Sequence, residues 1–171
     1  GVLFAGQVLA YAAMESGKEV TWFPSYGPEM RGGTANCTVI LADEEIGSPL
    51  VKYPQLAIVL NLPSFDKYEP LMRAGGVLVV NQSMVDRSAR RTDITEIFLP
   101  CNVIAEEIGD RRLLNMVAVG ALLHFLPELP LEDVEKALET HLPARHRQLL
   151  ALNFQALRRG YEIAAQQVLT A

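Results

Sequence analysis

Apolar positions divide the chain into a first helix, a region of strands and a helical end. Residues 2–16 are apolar on nearly every side and precede Gly17, which is typical of a buried helix that ends at a glycine. Residues 19–23 predict a strand, and the β-branched run 34–41 predicts a second one. Residues 24–33 between them are rich in glycine and proline and indicate a loop.

Two short, wholly apolar runs in the middle of the chain predict a parallel crossover unit. Residues 56–60 and 77–80 have the composition of strands that are buried on both faces. A helix is expected over residues 63–73, which gives the order strand, helix, strand. Residues 94–99 predict a further strand, and residues 46–49 predict a hairpin corner.

The remaining third of the chain has helical patterns. Gly160 interrupts the last of them and is expected to kink or break that helix. The predicted fold is α/β, a three-layer α/β/α arrangement with a mixed, mainly parallel sheet and a helical C-terminal third. No shift in composition marks a boundary, so residues 1–171 are expected to form a single domain. The helices of the last third are predicted over residues 104–108, 113–126, 131–142 and 145–168.

Composition and charge argue against a nucleic-acid partner. Half of the 171 residues are hydrophobic, and the formal net charge is −5. Phosphate backbones are neutralised by clustered Lys and Arg, whereas the densest basic patches, residues 87–91 and 145–147, are short and interrupted. Both patches are interpreted as solvated surface. No apolar run reaches the roughly 18 residues that span a bilayer, and no secretory leader is visible, so we expect a cytoplasmic protein.

Cysteine and histidine are too few and too scattered to predict a metal site. Cys37 and Cys101 are the two cysteines, and the chain contains no CxxC, whereas an iron–sulfur cluster normally takes four thiolates. His124, His141 and His146 match no ligand spacing. We therefore expect no metal and no cofactor bound by this chain alone, with both thiols buried and inert. His124 lies on an apolar helix and is expected to be a satisfied core or interface residue.

The loop at residues 24–33 is the first candidate for chemistry. Arg31 provides a planar fork suited to phosphate or carboxylate, and Gly27, Gly32 and Gly33 allow a close approach of the backbone. Such a loop can hold an anionic group or dock on a partner. A tight connection whose glycines only satisfy turn geometry is the alternative that residue chemistry leaves open.

The start of the chain and the ends of two strands are weaker candidates. Gly1 directly precedes the first helix, where backbone N–H groups attract phosphate, and residues before Gly1 are expected to be missing. Asn61 and Asn81 follow buried strands at the edge where open α/β sheets bind ligands, although Asn is also a common cap residue.

The sequence carries no motif of a self-sufficient enzyme. It lacks GxGxxG after a strand, GxxxxGK[ST] and GxSxG. No catalytic residue is assigned, and the pattern favours a subunit over a complete enzyme.

One stretch resembles a known family. Ser25-Tyr26-Gly27-Pro28-Glu29-Met30-Arg31-Gly32-Gly33 is similar to the matching stretch in the gamma subunit of 2-oxoacid:ferredoxin oxidoreductases, such as those acting on pyruvate and 2-oxoglutarate. Family members open with a GGQG-like sequence, of which only Gly1 and Val2 can be matched. The similarity continues along almost the whole chain, at Ile46-Gly47-Ser48-Pro49, residues 60–67, Gly75-Gly76, Asn81, residues 115–120 and near Asn153.

The resemblance implies a role within a larger complex. Such a complex decarboxylates a 2-oxoacid on thiamine diphosphate, passes electrons through iron–sulfur clusters to ferredoxin, and releases an acyl-CoA. Thiamine-binding and ferredoxin-like partner subunits carry the thiamine diphosphate and the clusters, and this chain helps to receive coenzyme A as co-substrate. The expected coenzyme A contacts are Gly1, Arg31, Gly32 and Gly33. The expected partner-facing loop is Tyr26, Gly27, Pro28, Glu29 and Met30.

Three other functions compete with this one. The chain could be a purely structural subunit of the same complex, or the equivalent chain of an indolepyruvate ferredoxin oxidoreductase. A free-standing hydrolase or reductase is the third, and the missing nucleotide and triad motifs disfavour it. A homodimer of the isolated chain is also open, and the sequence does not identify the 2-oxoacid.

Overall fold

A computed structural model of the chain describes residues 1–25 and 35–171. The backbone contacts there divide into two compact units. The first comprises Gly1–Val51 and Glu128–Leu150, and the second comprises Lys52–Pro127 and Ala151–Ala171. The elements are, in order, α1 (Val2–Glu15), β1 (Glu19–Ser25), β2 (Asn36–Ala42), β3 (Leu56–Val59), α2 (Leu62–Tyr68), β4 (Val77–Asn81), β5 (Thr95–Leu99), α3 (Cys101–Ile108), α4 (Leu114–Leu123), α5 (Leu131–His141) and α6 (Leu150–Thr170). Within the described residues, 3₁₀ turns cover Glu69–Leu71, Arg111–Leu113 and Ala144–Leu149.

The first unit packs α1 against a two-stranded antiparallel sheet and against α5. The predicted end of α1 at Gly17 is confirmed: this glycine has φ 85°, and the amide of Lys18 donates back to the Ala13 carbonyl at 3.0 Å. The hairpin corner predicted at residues 46–49 is wrong. β2 pairs with β1, from Glu19 opposite Ala42 to Ser25 opposite Asn36, so the hairpin is formed by β1 and β2.

The second unit is built on a parallel sheet of order β3-β4-β5, which confirms the predicted crossover unit. All five residues of the central strand β4 are buried. β3 was expected to be buried on both faces, but of its residues only Val59 is fully buried, because β3 lies at the edge of the sheet. One face packs on α2 and its 3₁₀ turn through the cluster Val59, Phe65, Met72, Leu78, Val80 and Val85. Helix α4 also packs against β3 and β4.

Helices α4 and α6 touch backbone to backbone at two glycines. A Cβ placed on Gly160 would lie 1.9 Å from the Val117 carbonyl oxygen, and one on Gly120 would lie 2.0 Å from the Leu157 carbonyl oxygen. The kink or break expected at Gly160 is wrong, since α6 continues through it without interruption. This glycine is buried where α4 approaches too closely for any side chain.

The basic patch at residues 87–91 is only in part the solvated surface that the sequence suggested: Arg90 is exposed, whereas Arg87 and Arg91 are half-buried and ion-paired. Arg87 donates to the buried carboxylate of Glu69 at 3.3 Å and also pairs with Asp66. Its guanidinium carbon lies 4.5 Å from the centroid of the Phe65 ring. Arg91 pairs with Asp93 at 2.8 Å and lowers the pKa of that carboxyl. The contacts of Arg87 bind the β4–β5 connection to α2 and its 3₁₀ turn, which residue spacing alone did not reveal.

The other basic patch agrees with its interpretation, because Arg145 and Arg147 are exposed. The α/β class, the parallel sheet and the helical C-terminal third are also confirmed. The described strands form two sheets, one antiparallel and one parallel, in place of the single mixed sheet that was expected. The single domain over residues 1–171 stays a prediction. No helix within residues 1–25 and 35–171 is long and apolar enough to cross a membrane.

The contact between α4 and α6 predicts that Gly160→Ala destabilises the chain. Alanine gains about 1 kcal/mol of helix propensity over glycine. Its Cβ, however, would meet the backbone of Val117 at 1.9 Å, and overpacking of this kind costs about 1 to 3 kcal/mol or more. We expect a net loss of about 2 kcal/mol in the free energy of unfolding, measured by urea denaturation.

Gly47→Ala is the matched control for this substitution. A Cβ at Gly47 would meet nothing within 4 Å, so the free energy of unfolding should change by less than about 0.5 kcal/mol. Equal unfolding midpoints for the two variants would contradict the assigned packing of α4 and α6.

Candidate functional site

Most of the predicted site lies outside the described residues. Residues 26–34 are not described, and they include Arg31, Gly32 and Gly33 as well as the predicted partner-facing stretch 26–30. Their assignments stay predictions. Gly1 is described: it is exposed and precedes α1, and its carbonyl accepts the amide of Ala5 at 3.0 Å.

The amino end of α1 has the electrostatic character that suits an anion. The first turn contains no acidic residue, and Gly1 as N-cap provides no side chain to accept from the helix amides. The first amides of a helix lack intrahelical acceptors and together carry about half a positive charge. The expectation that this end can face a phosphate therefore fits the residues present.

The two ends of the predicted loop lie beside this helix end. Ser25 is the last residue of β1, and it pairs with Asn36, the first residue of β2. The neighbouring Cys37 donates its S–H to the Val2 carbonyl oxygen at 3.4 Å. The structure thus brings together the first turn of α1 and the strand positions on both sides of the loop. Sequence separation gave no indication of this proximity.

Asn61 and Asn81, the strand-end candidates, have structural roles. The Asn61 side chain caps α2 by accepting the amide of Ser64 at 3.0 Å. Asn81 is 1% exposed, and its side chain makes hydrogen bonds with several neighbouring groups. Its Nδ2 donates to the Leu60 carbonyl at 3.2 Å and to Asn102 Oδ1 at 2.9 Å, and its Oδ1 accepts the amides of Ser83 and Cys101 at 3.2 and 3.1 Å.

Asn81 thereby joins the ends of all three strands of the parallel sheet. Leu60 directly follows β3, Asn81 ends β4, and Cys101 begins α3 just after β5. The polar atoms at this edge, where open α/β sheets usually bind ligands, are occupied by one another.

The two cysteines differ in burial, and burial is the largest influence on the pKa of each thiol. Cys101 is fully buried, and burial raises the pKa of its thiol to about 12. Cys37 is partly buried, and burial raises the pKa of its thiol as well. The raised pKa values keep both thiols protonated at neutral pH. The expectation that both cysteines are buried is confirmed for Cys101 and is wrong for Cys37, which is only partly buried.

His124 sits at the end of α4 between two aromatic rings. Its ring makes edge contacts with Phe125 and Tyr161, at centroid distances of 5.0 and 5.2 Å. Its Nδ1 is buried and has no hydrogen-bond partner among the described residues. The part of the chain that the structure describes contains no group of three or more His, Cys, Asp or Glu side chains that could hold a metal ion.

Sequence comparison decides the family. The profile described as pyruvate ferredoxin/flavodoxin oxidoreductase matches residues 1–163. The chain belongs to this family.

Curated members of the family are similar over different shares of their length. The 2-oxoglutarate synthase subunit KorC of Methanocaldococcus jannaschii is 33% identical over 97% of this chain and 89% of its own. The ketoisovalerate oxidoreductase subunit VorA of Methanothermobacter marburgensis is 37% identical over 72% of this chain but only 26% of its own length. The chain thus spans about a quarter of that longer relative.

A solved structure of a family member supports the fold. The gamma subunit of a keto/oxoacid ferredoxin oxidoreductase from Geobacter sulfurreducens superposes with a TM-score of 0.83 at 28% identity. The match covers 97% of this chain and 92% of the other.

Asn81→Ala is predicted to destabilise the family fold at the edge of its parallel sheet. The change leaves buried amides and carbonyls without partners, each costing about 1 to 3 kcal/mol. We expect a loss of about 3 kcal/mol in the free energy of unfolding, measured by urea denaturation.

Asn102→Ala is the comparison, because it removes only one of the partners of Asn81. Its loss should be about 1 kcal/mol. Similar losses in the free energy of unfolding for the two variants would contradict the conclusion that Asn81 joins the ends of the three strands.

Proposed function

We propose that this chain is the gamma-type component of a 2-oxoacid:ferredoxin oxidoreductase and helps to form the site that receives coenzyme A. The observation that carries the proposal is the family match over residues 1–163, together with a 2-oxoglutarate synthase subunit that is similar along nearly its whole length. The resemblance of the 25–33 stretch to gamma subunits points the same way.

The proposed division of labour leaves the oxidation to partner subunits. Thiamine diphosphate and iron–sulfur clusters, held by thiamine-binding and ferredoxin-like chains, would supply the decarboxylation and the electron path to ferredoxin. The share of this chain is to bind and orient coenzyme A for acyl transfer. Its own residues then need to recognise phosphate groups, and no catalytic residue is required of it. Like its partners, the chain would be cytoplasmic.

Two elements of the first unit supply what phosphate recognition needs. The amino end of α1, with Gly1 before it, has amides without intrahelical acceptors and no acidic side chain in the first turn. Arg31 adds a full positive charge in a planar fork that can donate two hydrogen bonds to one phosphate. Gly32 and Gly33 allow the backbone amides beside Arg31 to approach the ligand. The contact of Cys37 with Val2 supports placing both elements around one ligand.

Arg31→Ala tests the proposal in the assembled complex. Losing one charge-assisted contact to a phosphate costs about 1.5 to 3 kcal/mol. The KM for coenzyme A should therefore rise about tenfold or more, while the coenzyme A-independent decarboxylation of the 2-oxoacid is retained. Arg147→Ala is the matched control, since it removes the same charge from an exposed position of the same unit.

An unchanged KM for coenzyme A would contradict the proposal. If Arg31→Ala instead prevents co-elution with the partner subunits on gel filtration, the loop acts in assembly and the purely structural subunit is favoured. Gel filtration of the isolated chain also tests whether it forms a homodimer.

The 2-oxoacid is identified by assaying the complex with a series of substrates. Curated relatives are named for 2-oxoglutarate and for ketoisovalerate, so both belong in the series with pyruvate. Indolepyruvate belongs there too, because turnover of this aryl substrate alone would favour the equivalent chain of an indolepyruvate ferredoxin oxidoreductase.

A further inference from the structure

The parallel sheet of the second unit has an amino edge, at which its three strands begin. Backbone hydrogen bonds join the segments that lead into these strands. The amide of Arg73 donates to the Pro54 carbonyl at 2.9 Å, and the amide of Gly75 donates to the Asp93 carbonyl at 2.7 Å. Pro54, Gly75 and Asp93 each stand two positions before a strand. The residues brought to this one corner of the second unit are 52–55, 72–76 and 90–93.

Three cationic side chains at this corner have no carboxylate partner among the described residues. They are Lys52, Arg73 and Arg90, and all three are exposed. The Nζ of Lys52 lies 5.2 Å from the centroid of the Tyr53 ring, and Tyr53 is 53% exposed. We call Lys52, Tyr53, Arg73 and Arg90 the amino-edge patch.

The carboxylates near the amino-edge patch are paired with other arginines. Arg87 donates to Glu69 at 3.3 Å and also pairs with Asp66. Arg91 donates to Asp93 at 2.8 Å. The charge of the amino-edge patch is therefore not balanced at this corner, although the chain as a whole has a formal net charge of −5.

The composition of the amino-edge patch fits an acidic protein surface. Tyrosine and arginine are enriched at protein–protein interfaces, where an exposed aromatic ring supplies contact area beside the charges. Nucleic acid is the less suitable ligand, because its affinity depends on many clustered cations and the rest of this chain is acidic. Carboxylates on a partner would complement the three free cations and steer the encounter.

We propose that the amino-edge patch docks an acidic surface of a partner subunit, whose carboxylates pair with Lys52, Arg73 and Arg90 around the ring of Tyr53. This inference rests on the proposed function, because it takes membership of a multi-subunit complex as given. The amino-edge patch contributes to docking and has no part in receiving coenzyme A.

Lys52→Glu/Arg73→Glu is the first test. Each variant of the full chain is titrated against the partner subunits, which are purified without this chain, and the Kd is measured at low and at high salt. The reversed charges should raise the Kd about tenfold or more at about 50 mM NaCl. Because salt screens exposed charges, the difference should shrink to about threefold or less at about 500 mM NaCl.

Arg145→Glu/Arg147→Glu is the matched control. It makes the same change of total charge at exposed positions of the first unit. The Kd of this variant should stay within about twofold of the original value at both salt concentrations. Lys52→Gln/Arg73→Gln, which only neutralises the two cations, should raise the Kd at low salt by about threefold.

Tyr53→Ala tests the aromatic part of the amino-edge patch. Its ring supplies contact area, which salt does not screen. The Kd should therefore rise about tenfold at low and at high salt alike. A Tyr53→Ala variant that binds as well as the original chain would overturn the assignment of Tyr53 to the interface.

The outcomes separate this inference from the proposed function. If the unaltered chain does not bind the partner subunits, both are wrong. If it binds and Lys52→Glu/Arg73→Glu leaves the Kd unchanged, or if the control raises the Kd equally, the docking role is wrong and the proposed function stands.

Two further measurements test other ligands for the amino-edge patch. Lys52→Glu/Arg73→Glu should leave the KM for coenzyme A in the assembled complex unchanged, and a raised KM with an unchanged Kd would assign these cations to the anionic co-substrate. Binding of a short duplex DNA by the unaltered chain that the same variant abolishes would assign them to nucleic acid. Either result overturns the docking role.

Discussion

Close packing of helices, made possible by glycines without a Cβ, is the constraint on which both units depend. In the second unit, α4 and α6 meet at Gly120 and Gly160, where an added Cβ would lie about 2 Å from a carbonyl oxygen of the other helix. In the first unit, Gly6 lets α1 rest on Trp22 and Cys37. Each contact removes the space that a side chain would fill. Between α4 and α6 the neighbouring atoms belong to the main chain, so the helix positions there are insensitive to rotamer changes, whereas at Gly6 they belong to the side chains of Trp22 and Cys37.

Local patterns in the sequence predicted most elements of the fold but not how those elements are arranged. The apolar runs at residues 56–60 and 77–80 were sufficient for a parallel crossover, because composition and length alone distinguish buried strands. The separation into two sheets was not predictable, since it depends on which strands pair over long distances. Gly160 was misjudged for a related reason. Helix propensity treats glycine as a weak point, whereas the packing of α4 against α6 makes it a requirement.

The contacts of polar residues were likewise not predictable from local patterns in the sequence. The basic run at residues 87–91 looked solvated because its partners, Asp66 and Glu69, belong to a different helical segment about 20 positions earlier. For the candidate site, the sequence predicted the residue types that phosphate recognition requires, and Gly1 is where the helix start was expected. Gly6 escaped notice because a glycine within an apolar helix gives no sign of what it packs against. Its only signal was its presence in a run otherwise free of helix-weakening residues.

The two units also differ in whether the polar groups at their candidate ligand sites are used in hydrogen bonds within the fold. At the carboxyl edge of the parallel sheet, Asn81 binds the ends of β3 and β4 to the start of α3, and Asn61 caps α2, so these side chains are committed to the fold. The usual ligand edge of an open α/β sheet is therefore closed by its own residues. The amino end of α1 is the contrasting case, because its N-cap is a glycine that provides no oxygen to the helix amides. A glycine there costs the helix a capping interaction worth about 1 kcal/mol at most, and the proposed site would use the amides that no side chain caps. The proposed coenzyme A site follows from this difference.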